Sequence, residues 1–175
     1  MNLRFLGPTL FAVCLLGMPC CGQEPVSDAS IVAAIKKLAS ASDSESPNVH
    51  FQIFYSSPER STQLLIAALK PTARGKYLNG QHPQAFWIVR ALRSLTGLDF
   101  RATTTAGLSS DEAHFLDLNA RHQILFFGTW MSRDSTWVAP KDAQVAIIKQ
   151  WQDWFSQHGQ NHKYVNDRNF DNWYF

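Results

Sequence analysis

The chain has 175 residues, 45% of them hydrophobic and 17% charged, with 16 Lys and Arg against 14 Asp and Glu. That length and apolar content suffice for one domain with a core of its own, and a formal charge of +2 offers no bulk field for a nucleic-acid backbone. All three cysteines, Cys14, Cys20 and Cys21, lie before residue 22, so the remainder has no disulfide and no thiolate metal site and must be held by packing alone.

Residues 1–22 read as an export signal. Arg4 is the sole charge before Glu24, "LFAVCLL" forms a short apolar core, and Cys20, Cys21 and Gly22 supply small residues for cleavage. The apolar run is too short to span a bilayer, so no transmembrane span is expected. Cleavage after Gly22 would leave Gln23 at the new terminus and remove Arg4, leaving 15 bases (16 less one) against 14 acids. The expected location is periplasmic or extracellular. Lipid attachment at Cys20 or Cys21 is the weaker alternative, because Met18-Pro19 departs from the Leu-small-small-Cys approach of a lipobox.

Asp28 is the expected N-cap of a first helix, in which Ile31, Ala34, Ile35 and Leu38 recur at helical spacing while Lys36 and Lys37 face away. "SASDSESPN" reads as a loop. In "VHFQIFYSS", Val49, Phe51, Ile53 and Tyr55 alternate as in a strand but Phe54 breaks the polar face; the helical surroundings favour a helix. Ser57 and Pro58 open the next helix, with Leu64, Leu65, Ala68 and Leu69 as its inner stripe and Pro71 as its stop. "HPQAFWIVRALRSLT" places Trp87, Ile88, Ala91, Leu92 and Leu95 on one broad face and leaves Arg90, Arg93 and Ser94 as a polar strip. So wide an apolar arc calls for neighbours on two sides. Gly97 suits a left-handed residue after the helix end, with Leu98 folding back in a Schellman-type cap and Phe100 pinning the outgoing chain.

Residues 101–138 form an insertion-like stretch. "RATTTAGLSS" is loop-like, Ser109 or Ser110 with Asp111-Glu112 suggests a helix start, and "AHFLDLNARHQILFFGTWMS" reads as a helix followed by a buried segment. Pro140 then opens a helix whose stripe is Ala143, Ile147, Trp151, Trp154 and Phe155, with Gly159 as its stop. The tail, 161–175, carries five aromatic residues and is expected to dock Phe170, Trp173 and Phe175 onto the helices. Its aromatic end has the look of an outer-membrane barrel strand, but the chain lacks repeated alternating strands, so a barrel is rejected.

A helix ending "ALRSLTGLDF" followed by one ending "WQDWFSQHG" resembles the closing part of HEAT-like helical-repeat proteins of secreted bacterial proteins, in which an L-T-G-x-D-F helix end precedes a W-x-x-W-F helix. The resemblance covers roughly residues 58–158. It implies an all-α fold of stacked antiparallel helix pairs, a short HEAT-like α-solenoid or irregular helical bundle over 23–160, with a protein-binding surface. It brings no catalytic residues. Two departures qualify it: self-similarity at a fixed period is faint, and 101–138 is longer than a repeat connection, which makes that stretch a candidate for selectivity.

Residues 70–101 hold Lys70, Arg74, Lys76, Arg90, Arg93 and Arg101 against Asp99 alone. Arg74, Lys76, Arg90 and Arg93 are the candidate partner-binding set, suited to an acidic protein or anionic envelope polymer. The competing reading neutralises these bases internally with Glu59, Asp111 or Asp117. Asp99 reads either as a general base or ligand, or, more simply, as a local cap or the ion partner of Arg93 or Arg101. Among the six histidines, His158 and His162 have His-x-x-x-His spacing, but at a helix end. His114 and His122 lie near Asp111, Glu112 and Asp117. No G-x-S-x-G elbow, phosphate loop or dinucleotide fingerprint appears. Trp151, Trp154 and Phe155 read as core rather than a ligand groove. The sequence therefore points to an exported protein-binding module, inhibitor- or immunity-like, with an unidentified protein partner and neither catalytic residue, metal nor cofactor assigned. Its rivals are an envelope hydrolase built on His114 and His122, metal-dependent or not, and a structural envelope component.

Overall fold

Ser27, not Asp28, starts the first helix. The Ser27 hydroxyl accepts the Ser30 N–H at 3.2 Å, which satisfies one of the orphan donors of a helix start. Asp28 is thereby freed for the first turn, where its carboxylate takes the Arg60 guanidinium, Nε to Oδ1 at 2.7 Å. The computed structural model describes residues 26–38, 48–73, 76–78, 82–104, 123–129 and 135–165. Residues 1–22, read from the sequence as an export signal, lie outside the described residues, as do His114, His122, Arg74 and the aromatic residues Phe170, Trp173 and Phe175.

Helices dominate. Among the described residues they are α1 (Asp28–Lys37), α2 (Asn48–Ser56), α3 (Pro58–Ala68), α4 (Gln84–Thr96) and α5 (Lys141–His158), the last continued by a 3-10 turn at Gly159–Asn161. The ambiguous "VHFQIFYSS" is the helix α2, and Phe54, which spoiled the alternation, is buried on it with Phe51. The centre of the packing is α3, which meets α1, α2, α4 and α5. Its buried side chains are Ser61, Thr62, Leu65 and Ile66, so the inner stripe lies about one position off the expected one, with Leu64 and Ala68 only half-buried. The five apolar residues predicted for the broad face of α4, Trp87, Ile88, Ala91, Leu92 and Leu95, are all buried. Ser94, expected on the polar strip, is buried too, because the Tyr55 hydroxyl of α2 meets its Oγ. A partnered hydroxyl is admissible in a core where a lone one is costly.

The chain also carries short strands that the helical reading did not anticipate: β1 (Lys76–Leu78), β2 (Ala102–Thr103), β3 (Gln123–Ile124), β4 (Phe127–Thr129) and β5 (Ser135–Val138). They form a three-stranded antiparallel sheet in the order β1-β5-β4 and a two-stranded pair β2-β3. The registers pair Tyr77 with Thr136, Gly128 with Trp137, and Ala102 with Ile124. Strands of two to four residues are too short to show a period of two, and this explains why the buried segment at 123–129 had no readable class. Ile124, Phe126, Phe127, Trp137 and Val138 join the helical core, so the described parts of 101–138 are built into the domain.

Buried Gln144, 0% exposed, ties the start of α5 to the chain after α3. Its Oε1 accepts the Thr72 N–H at 2.8 Å, and its Nε2 donates to the carbonyls of Thr72 at 3.2 Å and Ala139 at 2.6 Å. The amide is thus satisfied on both sides.

Candidate functional site

The corner after α4 brings together several residues singled out from the sequence, among them Arg93, Asp99, Arg101, Trp151 and His162. Gly97 adopts φ +69°, ψ +11°, and its N–H bonds the Arg93 carbonyl at 2.7 Å. This is the single-bond left-handed cap rather than the expected Schellman pair. The Leu98 N–H turns instead to the Thr96 hydroxyl at 3.2 Å, which itself donates to the Leu92 carbonyl at 2.7 Å. Two further carbonyls are met by the chain beyond α5: Val165 N–H bonds Leu95 O at 2.8 Å, and His162 Nε2 lies 3.0 Å from Thr96 O. Residues 162–165 therefore cap α4 from a distance in sequence.

Asp99 is placed by this corner and held by two arginines. Its Oδ1 lies 3.0 Å from Arg93 Nε and its Oδ2 3.4 Å from Arg101 Nη2. The Arg93 side chain is only 11% exposed; burial pushes the pKa of its guanidinium down from the ordinary arginine value, Arg101 and Arg90 push the same way, and Asp99 opposes them. Arg90 lies 5.6 Å from the Trp87 ring centre, a cation–π distance. Arg90 and Arg93 are thus engaged within the fold, while Lys76 lies on the backbone of β1. Phe100 then meets the Trp151 ring edge-on at 4.5 Å and Trp154 at 6.3 Å. The two halves of the quoted pattern, L-T-G-x-D-F and W-x-x-W-F, pack directly on each other.

His162 stands edge-on to Trp154 and Tyr164, each 5.0 Å away, and His158 is exposed. Among the described residues no group of three His, Cys, Asp or Glu gathers as metal ligands. Tyr164 donates to the Gly159 carbonyl at 2.8 Å. Burial first, and the Glu59 carboxylate second, push its phenol pKa up to about 12.

A groove of about 500 Å³ runs between α3 and α5, within the size range of ligand clefts. Ile66, Ala67 and Phe155 give it an apolar lining, and Gln63, Gln152, Ser156 and Gln160 supply its polar groups. None of these side chains is ionised. Gln63 Oε1 accepts from Arg60, and Ser156 donates to the Asp153 carbonyl at 2.8 Å, which leaves amide and hydroxyl capacity facing a neutral groove. Phe155, read from the sequence as core, is half-buried and lines this groove. The glutamines gave no signal in the sequence, since exposed Gln on a helix is ordinary.

No protein-family profile, no curated protein and no solved structure gives a significant match to this chain.

Proposed function

We propose that the protein is an exported protein-binding module, a HEAT-like helix stack that offers the groove between α3 and α5 to another exported protein in an inhibitory or immunity-type role. The groove carries this reading: it has an apolar lining, uncharged hydrogen-bonding groups, and walls on two helices that pack against each other. Sites on rigid elements hold their geometry better than sites on loops. The packing of Phe100 on Trp151 supports the HEAT-like part, because it gives both motif halves a scaffold role and leaves the groove as surface. The basic residues Arg74, Lys76 and Arg90 would add a second, electrostatic contact for an acidic partner, while Arg93 is paired with Asp99.

The test is affinity capture from the native envelope fraction with three tagged full-length chains: wild type, Ala67→Glu/Ser156→Arg in the groove, and Arg74→Glu/Arg90→Glu in the basic segment. Circular dichroism checks each fold. The expected result is one protein retained by the wild type and lost by the groove variant, with weaker, salt-sensitive retention by the basic-segment variant. Equal retention by all three moves the interface elsewhere, and capture of nothing by the wild type overturns the binding role.

A further inference from the structure

Gly159 follows α5 with φ −55° and ψ −42°, an ordinary right-handed backbone that most residues adopt and that alanine favours over glycine. Its backbone therefore gives no reason for glycine. The reason lies in the Phe155 ring: a Cβ at position 159 would sit 2.5 Å from Cδ2, 2.7 Å from Cε2 and 2.9 Å from Cγ of that ring, far inside van der Waals contact. Residues 155 and 159 are one helical turn apart, where side chains on a shared face meet. Phe155 lines the groove, and so does Gln160, the next residue along.

We infer that Gly159 is the residue that sets the groove's shape, by giving the Phe155 ring room to lie over bare backbone. The pair would then determine which side chains of a partner the groove admits. A methyl group at 159 displaces the ring, and because Phe155 is half-buried and lines the groove, the displacement changes the groove's wall. This inference rests on reading the groove as the binding surface, but its test needs no partner, so the two fail separately.

The experiment follows the Ile66 and Ala67 methyl groups by NMR in the presence of a neutral gadolinium chelate, in the wild type, Gly159→Ala, Phe155→Leu and the double variant. Gly159→Ala is expected to shift the paramagnetic relaxation of both methyls and the Phe155 ring resonances while circular dichroism stays unchanged. In the Phe155→Leu background, exchanging Gly159 for Ala is expected to change nothing. Methyl relaxation equal in Gly159→Ala and wild type overturns the inference, as does an equal change in both backgrounds. Should Gly159→Ala lose its fold, rescue by Phe155→Leu sustains the inference, and a double variant that is also unfolded overturns it.

Discussion

Asp99 has two arginine partners, and their burial decides what each is worth. Arg93 is 11% exposed and Arg101 51% exposed. Removing the carboxylate takes an ion partner from a nearly buried guanidinium, so Asp99→Ala should cost about 1–3 kcal/mol in urea unfolding. Arg101→Ala should cost no more than about 0.5 kcal/mol, as exposed pairs do. Similar losses for both would mean that Asp99 is not serving Arg93. Tyr164 gives a pH signature. Its phenol titrates near 10 when unfolded and at about 12 in the fold, so through that window the native state holds more protons than the unfolded one. Stability is then fully present below pH 10 and falls as the pH rises toward 12. Tyr164→Phe should flatten this alkaline decline, as read from melting temperatures between pH 9 and 12. These residue roles were partly legible: the sequence offered Arg93 and Arg101 as partners for Asp99, and both pair with it. Nothing in it set Gln144 apart, and Gly159 read only as a helix stop, because a satisfied amide and a bare Cα acquire their further meaning from neighbours distant in sequence or from a ring's position.

The elements were readable in proportion to their length. The 13 residues of α4 pass through more than three turns, enough for the apolar arc to declare itself. The strands gave no such signal, and the apolar run at 123–129 fits buried strand and buried helix equally well. The shifted stripe on α3 has a related cause. With neighbours on several sides, small residues such as Ser61 and Thr62 are buried where side-chain hydrophobicity alone would not place them. At the start of α5, one glutamine does the joining. Gln144→Leu preserves the helix and approximate volume but leaves the Thr72 N–H and two carbonyls without their bonds. A loss of about 2–4 kcal/mol is expected, at roughly 1–3 kcal/mol per group cut off from water, because half-buried Thr72 can recover part of its loss from solvent while the Ala139 carbonyl lies in a buried residue. Equilibrium urea unfolding measures it, and a change below about 0.5 kcal/mol would show that solvent reaches this joint.

At the scale of the molecule, the helix-dominated architecture agrees with the helical expectation from sequence, and the short strands, which depart from an all-α fold, build the described parts of 101–138 into the domain. The edge-on contact between Phe100 and Trp151 ties the chain after α4 to α5. Half-buried Phe100 replaced by alanine should cost about 2–3 kcal/mol, below the ~3–5 of a fully buried ring. A double-mutant cycle with Trp151→Ala should return about 0.5–1.5 kcal/mol of coupling. Coupling near zero would make the two motif halves neighbours without mutual support. The candidate groove was not legible because it belongs to a pairing of α3 with α5, and periodicity within one helix says nothing about which other helix lies beside it.

The cap on α4 has a consequence for how the protein is made. The carbonyl of Thr96 is met by His162, 66 residues later, and that of Leu95 by Val165. During synthesis the end of α4 therefore emerges long before the groups that satisfy it. Until the chain beyond α5 has docked, these carbonyls are left to water, so this corner of the domain closes only once residues 162–165 are in place.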